Sequence, residues 1–210
     1  MDYKCLDTFN DKWLIESFFK GKKNGFFIEA GGADGKNESS TYILEKHFGW
    51  NGIIVEPCDE FYEKLIRNRT SKCVCAALSD KDGFVSFITA ANDKYLSGIE
   101  QNISEWHREA VFQEGFKKRQ VESISIKTLL KRYNCPSVID LIHFDMEGSE
   151  LSVIKEFPFD EYLVKLFIIE ISDRMIKDEL LNNGFLEVNN QFNTKAPWEC
   201  YFINSKILNL

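Results

Sequence analysis

The sequence is poor in features that would take a chain out of water. No apolar run approaches the roughly 18 residues that a membrane-spanning helix needs, and no stretch reads as a cleavable leader, so we expect a soluble protein with no membrane span. Cysteine is present but unpatterned. Cys5, Cys58, Cys73, Cys75, Cys135 and Cys200 include no pair with the two-residue gap of a zinc knuckle or redox motif. Cys73 and Cys75 alternate within an apparent strand and read as small core residues, which suits a reducing, cytoplasmic compartment. Positive charge is also short: 26 Lys and Arg stand against 33 Asp and Glu, for a net charge of −7. A large duplex footprint needs a basic face to displace counterions, so nucleic acid is not an expected partner. The small clusters Lys20/Lys22/Lys23 and Lys117/Lys118/Arg119 read as solvated faces. There is no repeat, no low-complexity tract and no Pro/Gly/Ser linker. We expect one domain over residues 1–210, opened by a helical segment at 1–24.

What is present is an aromatic-rich core, with 18 phenylalanines, and a regular alternation of elements. Helical spacing of Trp13, Leu14 and Phe18 marks a helix over 11–20. A short apolar run at 26–30 ends in a glycine-rich turn, as a buried parallel strand meeting a ligand loop would. Further strands are expected at 52–56, 72–78, 84–89, 121–126, 138–145 and 164–171, and a closing pair at 185–188 and 199–204. Helices are expected at 39–48, closed by Gly49, and at 58–68, 126–133, 149–157 and 175–183. Strands alternating with helices of this length imply an α/β, doubly wound sheet, with ligands beyond the carboxyl ends of its strands. Residues 90–120 break the rhythm. That segment is long and polar, carries Tyr95, Trp106, His107, Phe112 and Phe116, and is expected to form a partly helical cap.

The glycine turn carries the chemistry. Glu29-Ala-Gly31-Gly32-Ala-Asp34-Gly35 has an acidic residue followed by spaced glycines, after the first strand and before a helix. A second strand ends in Glu56, twenty-one residues beyond Gly35, where a carboxylate can accept hydrogen bonds from both ribose hydroxyls of an adenosine cofactor. A dinucleotide would use a similar layout, but its fingerprint needs a third glycine where Ala30 stands. Asp34 and Glu29 also put negative charge where a pyrophosphate would sit. That suits a sulfonium cation with an α-ammonium group, and so S-adenosylmethionine ahead of a nicotinamide cofactor.

The ordered segments GFFIEAGGADGKNESSTYILEKHFGWNGIIVEP, CAALSDKDG, LSGI and IDLIHFDMEGSEL resemble the FkbM family of methyltransferases, from Gly25 to about Phe202. The most specific block is Asp145-Met-Glu147-Gly-Ser-Glu150. Gly32 and the EISD segment after the fifth strand depart from what is common in the family. The resemblance implies a Rossmann-like methyltransferase fold: a mostly parallel seven-stranded sheet with a C-terminal antiparallel strand and an inserted cap at 90–120 over the acceptor. It implies O-methylation, often of a sugar hydroxyl in a glycan or glycosylated metabolite, by free-standing enzymes or by domains joined to glycosyltransferases. It further implies that Glu29, Gly31 and Gly35 hold the methionine and sugar portion of the cofactor, and Gly32, Asp34 and Asn37 are further candidate cofactor contacts. Glu56 would meet the ribose, Ala76 and Ala77 the adenine, Ser79 or Asp80 its amino group, and Asp145 the sulfonium, with Pro57 also among the cofactor contacts.

Three residues are candidates for the chemical step. Asp145 and Glu147 lie just past a buried strand, where ligands bind, although a helix cap and first-turn carboxylate would look the same. His143 could serve as a base; the competing reading is a satisfied core histidine. Tyr95, Trp106 and His107 are the candidate acceptor contacts in the cap. Asp145, Glu170 and Asp173 could form an oxygen site for magnesium. The rival functions are methylation of a protein, an RNA or a non-sugar small molecule, and a cofactor-binding scaffold without activity. The sequence does not specify an oligomeric state.

Overall fold

The computed structural model describes residues 10–91, 93–105, 108–109, 115–171, 173–194 and 196–209. Seven strands form the main sheet: β1 (Phe26–Ala30), β2 (Asn51–Val55), β3 (Lys72–Val74), β8 (Val138–Phe144), β9 (Leu163–Glu170), β10 (Phe185–Val188) and β11 (Glu199–Asn204). Their order is β10-β11-β9-β8-β1-β2-β3. Pairings are parallel from β3 across to β9, and β11 runs antiparallel between β9 and β10. The order reverses at β1, whose partners are β2 on one side and β8 on the other. A crevice at the strand ends is built there, because the connections leave β1 and β8 in opposite directions.

Alternation along each strand splits the core between two faces. Ile28, Ile53, Ile142, Phe144 and Phe167 pack on one face, while Phe27, Ile54, Leu141, Leu166 and Tyr201 pack on the other. The helices that cover them are Tyr42–Phe48, Asp59–Asn68, Ile126–Arg132, Glu150–Lys155 and Arg174–Asn182. Gly49, in the left-handed conformation at φ 68°, ends the first of these as expected. The expected helix at 11–20 is present as a short α-helix, Asn10–Lys12, continued as a π-helix, Trp13–Phe18, with Trp13 edge-on to Tyr201 at 5.0 Å.

The second sheet is where the sequence reading is corrected. The expected strand 72–78 divides: β3 stays in the main sheet and β4 (Ala77–Ser79) enters a four-stranded sheet of order β4-β7-β5-β6. The expected strands at 84–89 and 121–126 belong to it as β5 (Gly83–Ala90) and β7 (Phe116–Ser125). They form one antiparallel ladder from Gly83↔Ser123 to Ala90↔Phe116. The expected cap segment, 90–120, is bounded by these two strands, and Glu105, Arg108 and Glu109 within it are helical. Between β5 and β7 lie a 3₁₀ turn, Lys94–Leu96, and β6 (Gly98–Ile99). Trp106, His107 and Phe112 lie outside the described residues.

Candidate functional site

The strand ends of β1, β2, β8 and β9 open into a cavity of about 550 Å³, roofed by the second sheet. The glycine turn sets its floor. Gly31 has φ +81°, and a Cβ there would meet the Asp145 carbonyl oxygen at 1.7 Å, so only glycine lets the turn lie against the end of β8. Gly31 and Gly32 donate backbone hydrogen bonds to the Val55 carbonyl at 3.0 and 3.2 Å, and Asp145 donates to the Ala30 carbonyl at 3.0 Å. These bonds hold the ends of β1, β2 and β8 together. Ala33 (φ 43°), Glu38 (φ 60°) and Glu147 (φ 57°) also adopt left-handed backbone and line the same cavity. Such strain in non-glycine residues gathers where a ligand site over-determines the backbone.

Glu56 reaches the cavity from β2 while remaining buried. Its Oε2 accepts from the Ala33 amide at 2.8 Å and its Oε1 from the Cys58 amide at 2.7 Å. Burial outweighs these donors and pushes its pKa up to about 8. Each carboxylate oxygen keeps a free lone pair for a hydroxyl donor. Pro57, Phe61, Ala77 and Leu78 supply apolar wall beside it.

Other residues of the turn work at one remove. Asp34 accepts from the Lys36 and Asn37 amides at 2.9 and 2.8 Å and from the Asn37 side chain at 2.6 Å, and this holds the loop closed. Gly35, at φ +75°, packs on Leu65 and Arg69. Gly32, Asp34, Gly35 and Asn37 shape the loop without lining the cavity, and the same holds of buried Ala76 and Ser79. Glu29 turns away from the cavity altogether. It accepts from Ser39, from Thr41 (2.6 Å) and from Arg69 (3.3 Å) in a buried polar cluster. Burial would raise its pKa, but His143, Arg69 and Thr41 hold it below the ordinary value.

His143 belongs to the same cluster. The parallel register sets it beside Glu29. Its Nδ1 lies 3.6 Å from Glu29 and its Nε2 3.5 Å from Glu199. Burial would lower its pKa, yet the two carboxylates lift it to about 10. Two flanking carboxylates favour the protonated imidazole, which has no free lone pair to take a proton, and His143 is not among the residues lining the cavity.

Beyond β8, the Asp145–Glu150 block forms the acidic wall. Glu150 is buried and reaches back to accept from the Met146 and Gly148 amides at 2.6 and 3.0 Å, which shapes the loop. Asp145, Glu147 and Glu170 place one carboxyl oxygen each within 4.8 Å of one another. Burial and neighbouring Asp145 push Glu170 up to about 10, which favours its neutral form. The expected third member, Asp173, is elsewhere: it caps the helix Arg174–Asn182 by accepting from the Met175 amide at 2.8 Å.

The family model described as the methyltransferase FkbM domain matches residues 29–194. The chain belongs to the FkbM family of S-adenosylmethionine-dependent methyltransferases. Solved structures with a similar arrangement include a methyltransferase from Pyrococcus furiosus, at 15% identity, 90% coverage of this chain and 79% of that one, and TM-score 0.43. A TehB-like SAM-dependent methyltransferase from Corynebacterium glutamicum is similar at 11% identity, with 95% and 89% coverage and TM-score 0.47. No curated protein matches the sequence.

The cavity of this FkbM methyltransferase fits S-adenosylmethionine. Its volume is in the range of small-molecule sites. Its acidic lining comprises Glu38, Asp145 and Glu147, with Glu56 and Glu170 shifted towards their neutral forms, against Lys94, which is itself paired with Glu60. That field suits a sulfonium and repels a pyrophosphate. Sequence reasoning missed several members of the site: Phe61, Glu38 and Trp198 line the cavity, and buried Arg69 ties the Gly35 carbonyl to Glu29 and Glu45. Phe61, Arg69 and Trp198 stand in no local motif, and Glu38 lies within the glycine-turn segment without a chemical signal of its own. Their roles come from chain segments that meet only in the folded state.

Proposed function

We propose that this methyltransferase transfers its methyl group to a sugar hydroxyl, in a glycan or a glycosylated metabolite, with Asp145 as the proton acceptor. The observation that carries the reading is the position of Asp145. It projects from the carboxyl end of β8, the central strand, into the cavity that Glu56 and the glycine turn define. Bound S-adenosylmethionine supplies an electrophilic methyl carbon whose carbon–sulfur bond breaks as the oxygen–carbon bond forms. Gly31, Ala33, Glu56, Pro57, Ala77 and Leu78 hold it by the ribose and adenine. A hydroxyl is a weak nucleophile, so its proton leaves as it attacks. Asp145 accepts that proton, help typically worth about 10²–10⁴ in rate. Glu147 stands beside it as the second acceptor. Tyr95, on the 3₁₀ turn of the inserted segment, offers part of the acceptor wall.

The test is Asp145→Asn. It keeps the shape, binds the cofactor within about tenfold, and loses at least about 100-fold in kcat. Near-normal turnover in that variant would clear Asp145 of the role. A second reading rests on the spacing of Asp145, Glu147 and Glu170, whose three oxygens are a donor set for a hard cation such as magnesium. In that case chelation abolishes turnover and magnesium restores it.

A further inference from the structure

The cavity has two walls of different character. On the cofactor side lie the glycine turn, Glu56 and the alanines of the strand ends. On the far side, the mouth is framed by Trp198. This residue precedes β11, and its carbonyl accepts from the Ile171 amide at 2.8 Å. The ladder then sets Glu199 opposite Glu170, and Trp198 lines the same cavity as the acidic wall. Trp198 is 54% exposed and lines the cavity, and it makes no ring contact among the described residues. The other aromatics of the lining differ: Tyr95 leans on Phe61 at 5.1 Å. An indole left half in water costs apolar hydration, and at the rim of a catalytic cavity it presents a flat face to whatever enters.

The charged groups that share this lining with Trp198 are mostly acidic. Asp145, Glu147 and Glu170 place one carboxyl oxygen each within 4.8 Å of one another, and Glu38 lines the same cavity. Among the described residues that line the cavity the sole cation is Lys94, already paired with Glu60. Nothing there would neutralise an incoming anion, and a low-dielectric cleft amplifies the repulsion. Carboxyls do suit the hydroxyls of an uncharged ring, which donate to them.

We propose that the acceptor docks with its apolar ring face on Trp198 and carries no anionic group near the methylated hydroxyl. The substrate class is therefore an uncharged or amine-bearing glycosyl ring, and phosphorylated or uronic acid rings are rejected. This rests on the proposed sugar O-methylation and specifies its acceptor.

The experiment isolates Trp198 emission as the difference between wild type and Trp198→Phe, with S-adenosylhomocysteine bound and a chelator present. Two readouts follow. Caesium quenches this emission at least about threefold more efficiently than iodide, each relative to free indole, because the mouth concentrates cations. Methyl glycosides of the common hexoses protect it from acrylamide, and the matching hexose phosphates do not. Iodide quenching equal to caesium's overturns the charge argument. Equal protection by the phosphates, or protection by none of the glycosides, overturns the docking. Calorimetry of S-adenosylhomocysteine on both proteins keeps these outcomes apart from failure of the methyltransferase reading, in which no cofactor product binds.

Discussion

Glu56 is pulled two ways. Burial favours its neutral form, whereas the Ala33 and Cys58 amides favour the ionised one. Ribose hydroxyls add two more donors to the ionised form. Cofactor affinity is therefore expected to rise with pH through about 8 and then level off, and Glu56→Gln flattens the profile. Calorimetric titrations across that range check it; a slope that survives in Glu56→Gln assigns it to another group. In the empty protein the sign is opposite. The folded state holds this proton where the unfolded chain has lost it, so stability falls as pH rises from 4.5 towards about 8. That a carboxylate would stand here was legible from its place after the second strand. That its neutral form would be favoured when empty was not, since its burial depends on how separate chain segments meet around it.

Strands and helices were legible where one face is apolar, and their pairing was not. The run at 26–30 and the run ending in Phe144 declare buried parallel strands, and the structure places them side by side. The division of residues 72–78 between two sheets has no local signal, because Val74 and Ala77 are equally apolar; only the choice of partner, β2 or β7, separates them. Residues Lys117–Gln120 are polar for the same kind of reason: they pair with β5 on a solvent-facing ladder. The glycine turn yields a sharper prediction. Gly31→Ala forces a Cβ into the Asp145 carbonyl and imposes left-handed backbone on an L-residue. It is expected to cost more than about 1–2 kcal/mol in stability and to abolish cofactor binding, read by urea unfolding and calorimetry. Asp173→Ala provides the contrast. It removes a helix cap worth about 1 kcal/mol and leaves turnover intact, whereas loss of turnover at full stability would return Asp173 to the active site.

At the scale of the whole molecule, the cavity is braced from behind by one buried polar network. Asn10 donates to Ser40 (3.0 Å) and to Glu199 (2.7 Å). Glu199 also receives Tyr201, at 2.7 Å, and faces His143, which faces Glu29, which receives Arg69. The start of the chain, its last strand and the strand carrying the glycine turn are thereby fixed to one another. Because His143 has a raised pKa in the fold, its stabilising contribution is complete below about 6.5 and is lost as pH rises through about 10. The stability gap between wild type and His143→Ala is thus expected to narrow steadily over that interval in urea titrations; a gap independent of pH would show that the histidine is neutral.

The central claim is that the crevice at β1 and β8 is built for S-adenosylmethionine held through Glu56. Calorimetric titration of the isolated chain with S-adenosylmethionine, and separately with NAD, tests it most directly. The account predicts one-to-one binding of S-adenosylmethionine, weakened by about 1.5–3 kcal/mol in Glu56→Ala, and no binding of NAD. Binding of NAD, or an S-adenosylmethionine affinity unchanged in Glu56→Ala, would contradict it.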